Sequence, residues 1–268
     1  MYYLYGENYQ EIQSIIESSF FNQLVAYLLN NESVILRDLK KQFADESLFD
    51  KKLDKLIEAG LVVRQNRRYT FGGKILTDYY ELPEVIKNAS LTPQFLMQLA
   101  SKMKKIAAGE FYLLNSEQGV WFQTFQTPYF SWHILYNHPE QTNIATYFNA
   151  CATQNHLENH RQMYVLLGDV DVNYYLDQIE VLIEKIKKGR RRIRHSIFVE
   201  SAEQFGLIEK FEDRLIIRSD VLIEEDVPVA KEDAILLAAF DSLTAIEQRQ
   251  VLNSLMQQLH MECLQQIK

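Results

Sequence analysis

The stretch Leu56-Ile57-Glu58-Ala59-Gly60-Leu61-Val62-Val63-Arg64-Gln65-Asn66-Arg67-Arg68-Tyr69-Thr70-Phe71-Gly72-Gly73 changes its period in the middle. Up to Gly60, the residues Phe49, Leu53, Leu56 and Ile57 recur at the spacing of one helix face. Beyond it, two β-prone runs flank a polar Gln65-Asn66 tip, which predicts a hairpin. Gly60 is the residue type that closes a helix in the left-handed conformation, so helix and hairpin should meet there. Ser47, three residues before Asp50, predicts a carboxylate variant of the capping box at the start of this helix.

Upstream, Phe21, Leu24, Val25, Leu28 and Leu29 make an apolar face on a helix capped by Ser18 or Ser19. An extended residue near Val34, a short helix around Leu36 and Leu39, and a turn at Ala44-Asp45-Glu46 complete the segment. Three helices followed by a hairpin, over residues of about 18–71, resemble the winged helix-turn-helix superfamily. The resemblance implies a third helix laid in a DNA groove and a hairpin wing against the backbone. Through Phe20-Phe21-Asn22-Gln23-Leu24-Val25 and Val34-Ile35-Leu36-Arg37-Asp38-Leu39 the same region is also similar to an uncharacterised family of streptococcal-type bacterial proteins of unknown function, which implies no activity.

Downstream, a helix is predicted over about 92–108, capped by Thr92 with Pro93 at its first position and ended by Gly109. A hairpin should join 111–114 to 120–125 through 115–119, and a helix should span about 139–155. Met163–Leu167 reads as a buried strand, Asp171–Lys188 as a helix and Ser196–Val199 as a strand, an order that suggests a small α/β layer. A third hairpin has its tip at Phe211-Glu212-Asp213-Arg214. After Pro228 the chain reads as helical to its end, with a capping box between Thr244 and Glu247. No internal repeat is evident. The expectation is therefore an α+β protein: a winged-helix domain at 1–82, a mixed α/β domain with hairpins at 83–228, and a C-terminal helical pair at 229–268 that packs on the second domain or dimerises.

The 268 residues carry 28 Lys+Arg against 36 Asp+Glu, a formal net charge of -8, which excludes coating of nucleic acid by bulk charge. The charge is uneven. From Leu36 to Lys74 there are ten bases and six acids, so this segment is +4 and the remainder -12. Within it Lys51, Lys52 and Lys55 on the third helix and Arg64, Arg67 and Arg68 on the wing are the candidate nucleic-acid contacts. Asp50, Asp54 and Glu58 on the same helix would repel phosphate. A second basic cluster, residues 184–195, has seven bases to one acid and adds Arg190, Arg191 and Arg192; a solvated turn is its other reading.

His133, His138, His156 and His160, with Cys151 nearby, could hold a metal or could be ordinary surface histidines. Asp169 and Asp171 could bind Mg²⁺ where a strand passes to a helix, or serve as turn and helix cap. Neither set forms a known ligand motif, and the nine glycines form no phosphate loop, so no catalytic residue, metal or cofactor is assigned and no enzyme activity is expected. The aromatic middle, from Trp121 to Phe148, reads as core or protein interface. Two cysteines, no long apolar run and no signal-peptide pattern lead to the expectation of a cytoplasmic protein without membrane contact, and the resemblance to the streptococcal-type family implies a bacterial one. Two functions follow. One is a winged-helix DNA-binding protein, a transcription regulator whose other part takes a protein partner or self-associates. The other is a protein-interaction adaptor that uses the winged helix as a scaffold.

Overall fold

In the computed structural model, residues 2–76, 81–87, 91–114, 119–138, 140–153, 157–224 and 231–268 are described. The class is α+β. The chain divides into two units, Met1–Tyr79 with Lys104–Gln118, and Tyr80–Met103 with Gly119–Lys268. Residues 104–118 thus cluster with the N-terminal segment, and the two C-terminal helices with the second unit.

In the first unit β1 (Tyr2–Tyr5) leads through a 3-10 turn to α1 (Gln13–Ile16) and α2 (Ser19–Asn30). Ser18 caps α2 by accepting the Phe21 N–H at 3.3 Å. Then come β2 (Val34–Ile35), α3 (Leu36–Gln42), α4 (Phe49–Glu58), β3 (Val62–Gln65), β4 (Arg68–Phe71) and β5 (Lys74–Ile75), with α5 and α6 of the other unit intervening before β6 (Phe111–Leu114). Among the described residues the first unit has two three-stranded sheets, ordered β2-β4-β3 and β1-β6-β5. Its core gathers Phe21, Leu24, Val25, Leu39, Leu53, Leu56, Leu61 and Tyr69, while Leu29 and Leu36, expected on the same apolar faces, are exposed instead.

The start of α4 differs from the expectation. Its cap is Leu48, at φ 57 and without a side-chain hydrogen bond, not Ser47. Phe43 and Phe49 stack at 6.0 Å on either side of the turn, and Phe20 meets both rings edge-on. Aromatic packing, not a polar cap, sets this corner. The hairpin tip also shifts by one residue, to Asn66 and Arg67 at φ 51 and 63, the pattern of a two-residue turn with both residues left-handed.

In the second unit α5 (Glu84–Lys87) and α6 (Pro93–Ser101) precede β7 (Trp121–Gln126) and β8 (Ser131–Tyr136). There follow α7 (Ile144–Thr153), α8 (Arg161–Leu167), α9 (Val172–Lys187), α10 (Ile197–Gln204), β9 (Ile208–Phe211), β10 (Arg214–Ile217), β11 (Leu222–Ile223), α11 (Lys231–Ser242), α12 (Ala245–Gln258) and β12 (Cys263–Ile267). The sheet β11-β12-β8-β7 is covered on both faces, as its alternation requires. Trp132, Ile134, Tyr136 and Ile267 point into a core shared with α7 to α10. Leu135 and Leu264 point the other way, into a core shared with α6, α11 and α12.

Several expectations are corrected here. Met163–Leu167 is helical: Met163 and Leu167, four apart, are buried while Tyr164 and Val165 face solvent. A short apolar run could not separate strand from buried helix. Ser196–Val199 is the beginning of α10, with Ser196 accepting the Val199 N–H at 3.3 Å, so the small α/β layer is a helical layer instead. The helix at Thr92 stops at Ser101, where the apolar spacing gives way to lysines. Phe111–Leu114 pairs with β1 and β5, and Trp121–Gln126 with β8, so the two do not form a hairpin together. The expected connecting residues 115–118 lie outside the described set. The helix expected over 139–155 is α7, Ile144–Thr153; Pro139 and residues 154–156 also lie outside that set. Finally, the chain does not stay helical to its end: β12 pairs antiparallel with β8 and parallel with β11.

The reversal between α12 and β12 uses His260 at φ 53, a conformation that costs a side chain about 1–2 kcal/mol and glycine almost nothing. The Met261 N–H reaches back to the Met256 carbonyl at 2.8 Å around it. His260→Gly should therefore raise stability by up to about 1 kcal/mol, after allowance for the freer unfolded chain. Chemical denaturation should show a higher midpoint with an unchanged slope.

Candidate nucleic-acid interface

The candidate site of the first unit stands on α4 and the β3–β4 hairpin. Leu53 and Leu56 bury one side of α4, which leaves Asp50, Lys51, Asp54, Lys55 and Glu58 exposed on the other. At the helix end Gly60, at φ 76, turns the chain. Its N–H donates to the Ile57 carbonyl and the Leu61 N–H to the Leu56 carbonyl, both at 2.9 Å, which is the two-bond Schellman closure. The Leu61 carbonyl then accepts the Gly72 N–H at 2.9 Å and closes the base of the hairpin. Helix and hairpin are thereby fixed to each other through one residue.

The charges on this frame are not equivalent. Lys40 of α3 binds Asp50 at 2.9 Å and removes one of the three helix acids from play. Lys52 is half-buried; its ammonium binds Glu46 and lies 5.5 Å from the centre of the Phe20 ring. It is engaged in holding the corner before α4. Lys51 and Lys55 are exposed and make no ion pair among the described residues. On the hairpin Arg64, Arg67 and Arg68 are all exposed and likewise without an ion pair among those residues. Arg64 lies 5.7 Å from the centre of the buried Tyr69 ring across the strand pair, which restricts its side chain. Five such cations thus stand on two joined elements, beside Asp54 and Glu58.

Arg190, Arg191 and Arg192 belong to the second unit, in the connection between α9 and α10. All three are exposed and form no ion pair among the described residues. The Lys185 carbonyl accepts the Arg190 N–H at 3.1 Å around Gly189, so the run leaves α9 by a defined turn.

The metal candidates are dispersed. Asp171 is the cap of α9, accepting the Tyr174 N–H at 2.9 Å, and the segment before it leaves a helix, not a strand. His133 stacks on Phe122 at 5.9 Å and sits 2.9 Å from the Thr124 hydroxyl; burial lowers its pKa and favours the neutral ring. His160 is buried against Tyr147, His138 is exposed, and His156 lies outside the described residues. Among the described residues no three His, Cys, Asp or Glu side chains are grouped to hold a metal ion. Burial pushes the Cys151 thiol up and the Cys263 thiol up to about 12. Of the aromatic middle, Trp132 and Tyr147 are fully buried while Tyr129 is exposed. An open cavity of about 730 Å³ in the second unit is lined by Phe95, Met97, Phe122, His133, Leu222 and Gln266. No described helix is long and apolar enough to cross a membrane.

Residues 2–106 match a domain of unknown function (DUF1803). The match takes in β1 to β5 and ends before β6, the strand that lies between β1 and β5. No curated protein and no solved structure matches. The uncharacterised family implied by the opening residues is consistent with this result.

Sequence reasoning grouped Lys52 with the other lysines because spacing alone does not show an acid and a ring arriving from the preceding turn. Lys52→Ala should lower stability by about 1 kcal/mol, through the removal of its ion pair and its packing on Phe20. Lys51→Ala should leave it within about 0.5 kcal/mol. Thermal unfolding of the two variants side by side checks this.

Proposed function

We propose that the first unit contains a winged helix-turn-helix and that it contacts duplex DNA through α4 and the β3–β4 wing. The observation that supports this most is the strand order β2-β4-β3. A short strand between the first and second of three helices pairs with the far strand of a hairpin that follows the third helix. This arrangement leaves one helix face and the hairpin tip clear of the core, and here both carry cations without ion pairs among the described residues. Arg64, Arg67 and Arg68 supply phosphate contacts, and Lys51 and Lys55 reach toward the groove in which α4 would lie. The remaining acids on α4 weaken non-specific attraction and place the weight of binding on the wing. A role in transcription regulation, with the second unit taking a protein partner or a second copy of the chain, fits this reading. A place in the cytoplasm fits it as well.

Fluorescence anisotropy with a labelled duplex at several salt concentrations tests the proposal. The whole chain should bind, with log K falling linearly in log [salt]. Substitution of Arg64, Arg67 and Arg68 by Ala should lower the magnitude of that slope by about 2–3, roughly 0.9 for each phosphate no longer neutralised. No binding at low salt, or an unchanged slope, would refute it. A stable protein partner recovered with no nucleic acid would instead support the adaptor reading.

A further inference from the structure

The helix end and hairpin of α10 to β10 follow those of α4 to β4 in backbone form, although the helices start differently and Arg67, at φ 63, has no left-handed counterpart in the second hairpin. Leu53, Leu56, Leu61 and Val62 correspond to Val199, Ala202, Leu207 and Ile208, all buried. Gly60 and Gly206 both have positive φ, 76 and 71, and Asn66 and Glu212 at the two hairpin tips have φ 51 and 52. The Leu207 N–H donates to the Ala202 carbonyl at 2.9 Å as Leu61 does to Leu56, and the Arg218 N–H donates to the Leu207 carbonyl at 3.2 Å as Gly72 does to Leu61. The strand pairs agree in register, Val62 with Phe71 and Ile208 with Ile217. The likeness is a local repeat of backbone form, and few identities besides Gly-Leu accompany it in the sequence.

The charge does not follow the repeat. The second hairpin carries Glu209, Glu212 and Asp213 against Lys210 and Arg214, so it is not a basic wing. The cations stand instead before the helix, at Arg190, Arg191, Arg192 and Arg194, exposed and without ion pairs among the described residues. The connection that carries them is held at both ends. The Schellman closure at Gly189 fixes its start, Ser196 caps α10 at its end, and the Tyr175 hydroxyl lies 3.0 Å from the Ser201 hydroxyl and ties α9 to α10. Glu184 is paired with Lys188 at 2.8 Å, and Glu200 lies 3.8 Å from His195, so neither acid of the flanking helices is paired with the arginines.

We propose that the α9–α10 corner is a second duplex-binding surface, which grips the phosphate backbone through Arg190, Arg191, Arg192 and Arg194. It rests on the reading of the first unit's helix and hairpin as a DNA-binding element. The nine residues between Lys187 and Ile197 are longer than a helix-turn-helix turn, and what they offer a duplex is a cluster of exposed guanidiniums, the group that pairs bidentately with phosphate oxygens. The difference from the first unit is the point of contact: turn in one, wing in the other.

Stoichiometry tests it. Duplexes of about 12 base pairs, little more than one helical turn, are mixed in excess with the whole chain at low salt and the mass of the complex is measured by sedimentation. Two duplexes per chain are expected. Substitution of the four arginines by Ala, all exposed and so compatible with folding, should leave one, and the Arg64, Arg67 and Arg68 to Ala variant should also leave one. One duplex on the native chain, retained in the four-arginine variant, overturns this second surface while the first reading stands. One duplex that is absent from the four-arginine variant but kept in the wing variant overturns the first reading and keeps this one. No duplex on the native chain overturns both.

Discussion

Leu61 is bonded in two directions, and much of the first unit depends on it. Its N–H closes the end of α4 on the Leu56 carbonyl, and its own carbonyl closes the hairpin on the Gly72 N–H. Its side chain is buried in the same core as Leu56 and Tyr69. A helix and a hairpin joined by a free loop would lose orientation, and each would have to bury its face alone. Here the left-handed Gly60 makes the reversal without side-chain strain, and the first residue past it is already committed to both elements. The angle between an exposed helix face and a hairpin tip is the property a groove reader has to keep, and these bonds keep it. Leu207 does the same work in the second unit.

The second unit adds a different constraint, the arrival of β12 between β8 and β11. It comes from the end of the chain and completes a sheet whose two faces belong to two separate cores. Gln265 shows how closely the layers are tied. Its side-chain oxygen accepts from the Trp132 indole at 3.0 Å, and its amide donates to the Phe205 carbonyl at 2.9 Å, at the very end of α10. One polar side chain thus satisfies a fully buried tryptophan and a helix terminus together.

Local features were legible in the sequence where they rest on local chemistry. The caps at Ser18, Thr92, Asp171 and Thr244, the glycine at 60 and the hairpins at 62–71 and 208–217 all have their cause within a few residues. What was not legible depends on distant partners. Nothing in Tyr2–Tyr5 says that it pairs with Phe111–Leu114, and nothing in Cys263–Ile267 distinguishes a strand from the last turns of a helix. Met163–Leu167 is apolar enough for either state, and only burial of residues four apart decides it. For the candidate site, the six basic positions of the first unit could be read from the sequence. The separation of Lys52 from the others could not, because Glu46 and Phe20 reach it through the fold of the turn.

The acidic balance of the chain and a basic contact surface are compatible because the relevant distance is short. At physiological ionic strength charges more than about 8 Å away are largely screened, so a phosphate near Arg67 would respond to its immediate neighbours on the hairpin, not to the sum of -8. In the first unit Asp50 is paired with Lys40, which leaves the summed charge unchanged, while the hairpin arginines form no ion pair among the described residues. In the second, Lys188 pairs with Glu184, and the four arginines that follow form no ion pair among those residues. In both units the ion pairs lie beside these cations instead of among them. Each pair gives an acid a partner of its own, but Asp54 and Glu58 stay exposed on α4, so that face remains mixed in sign and the hairpin, which carries no acid, is the more uniformly basic surface.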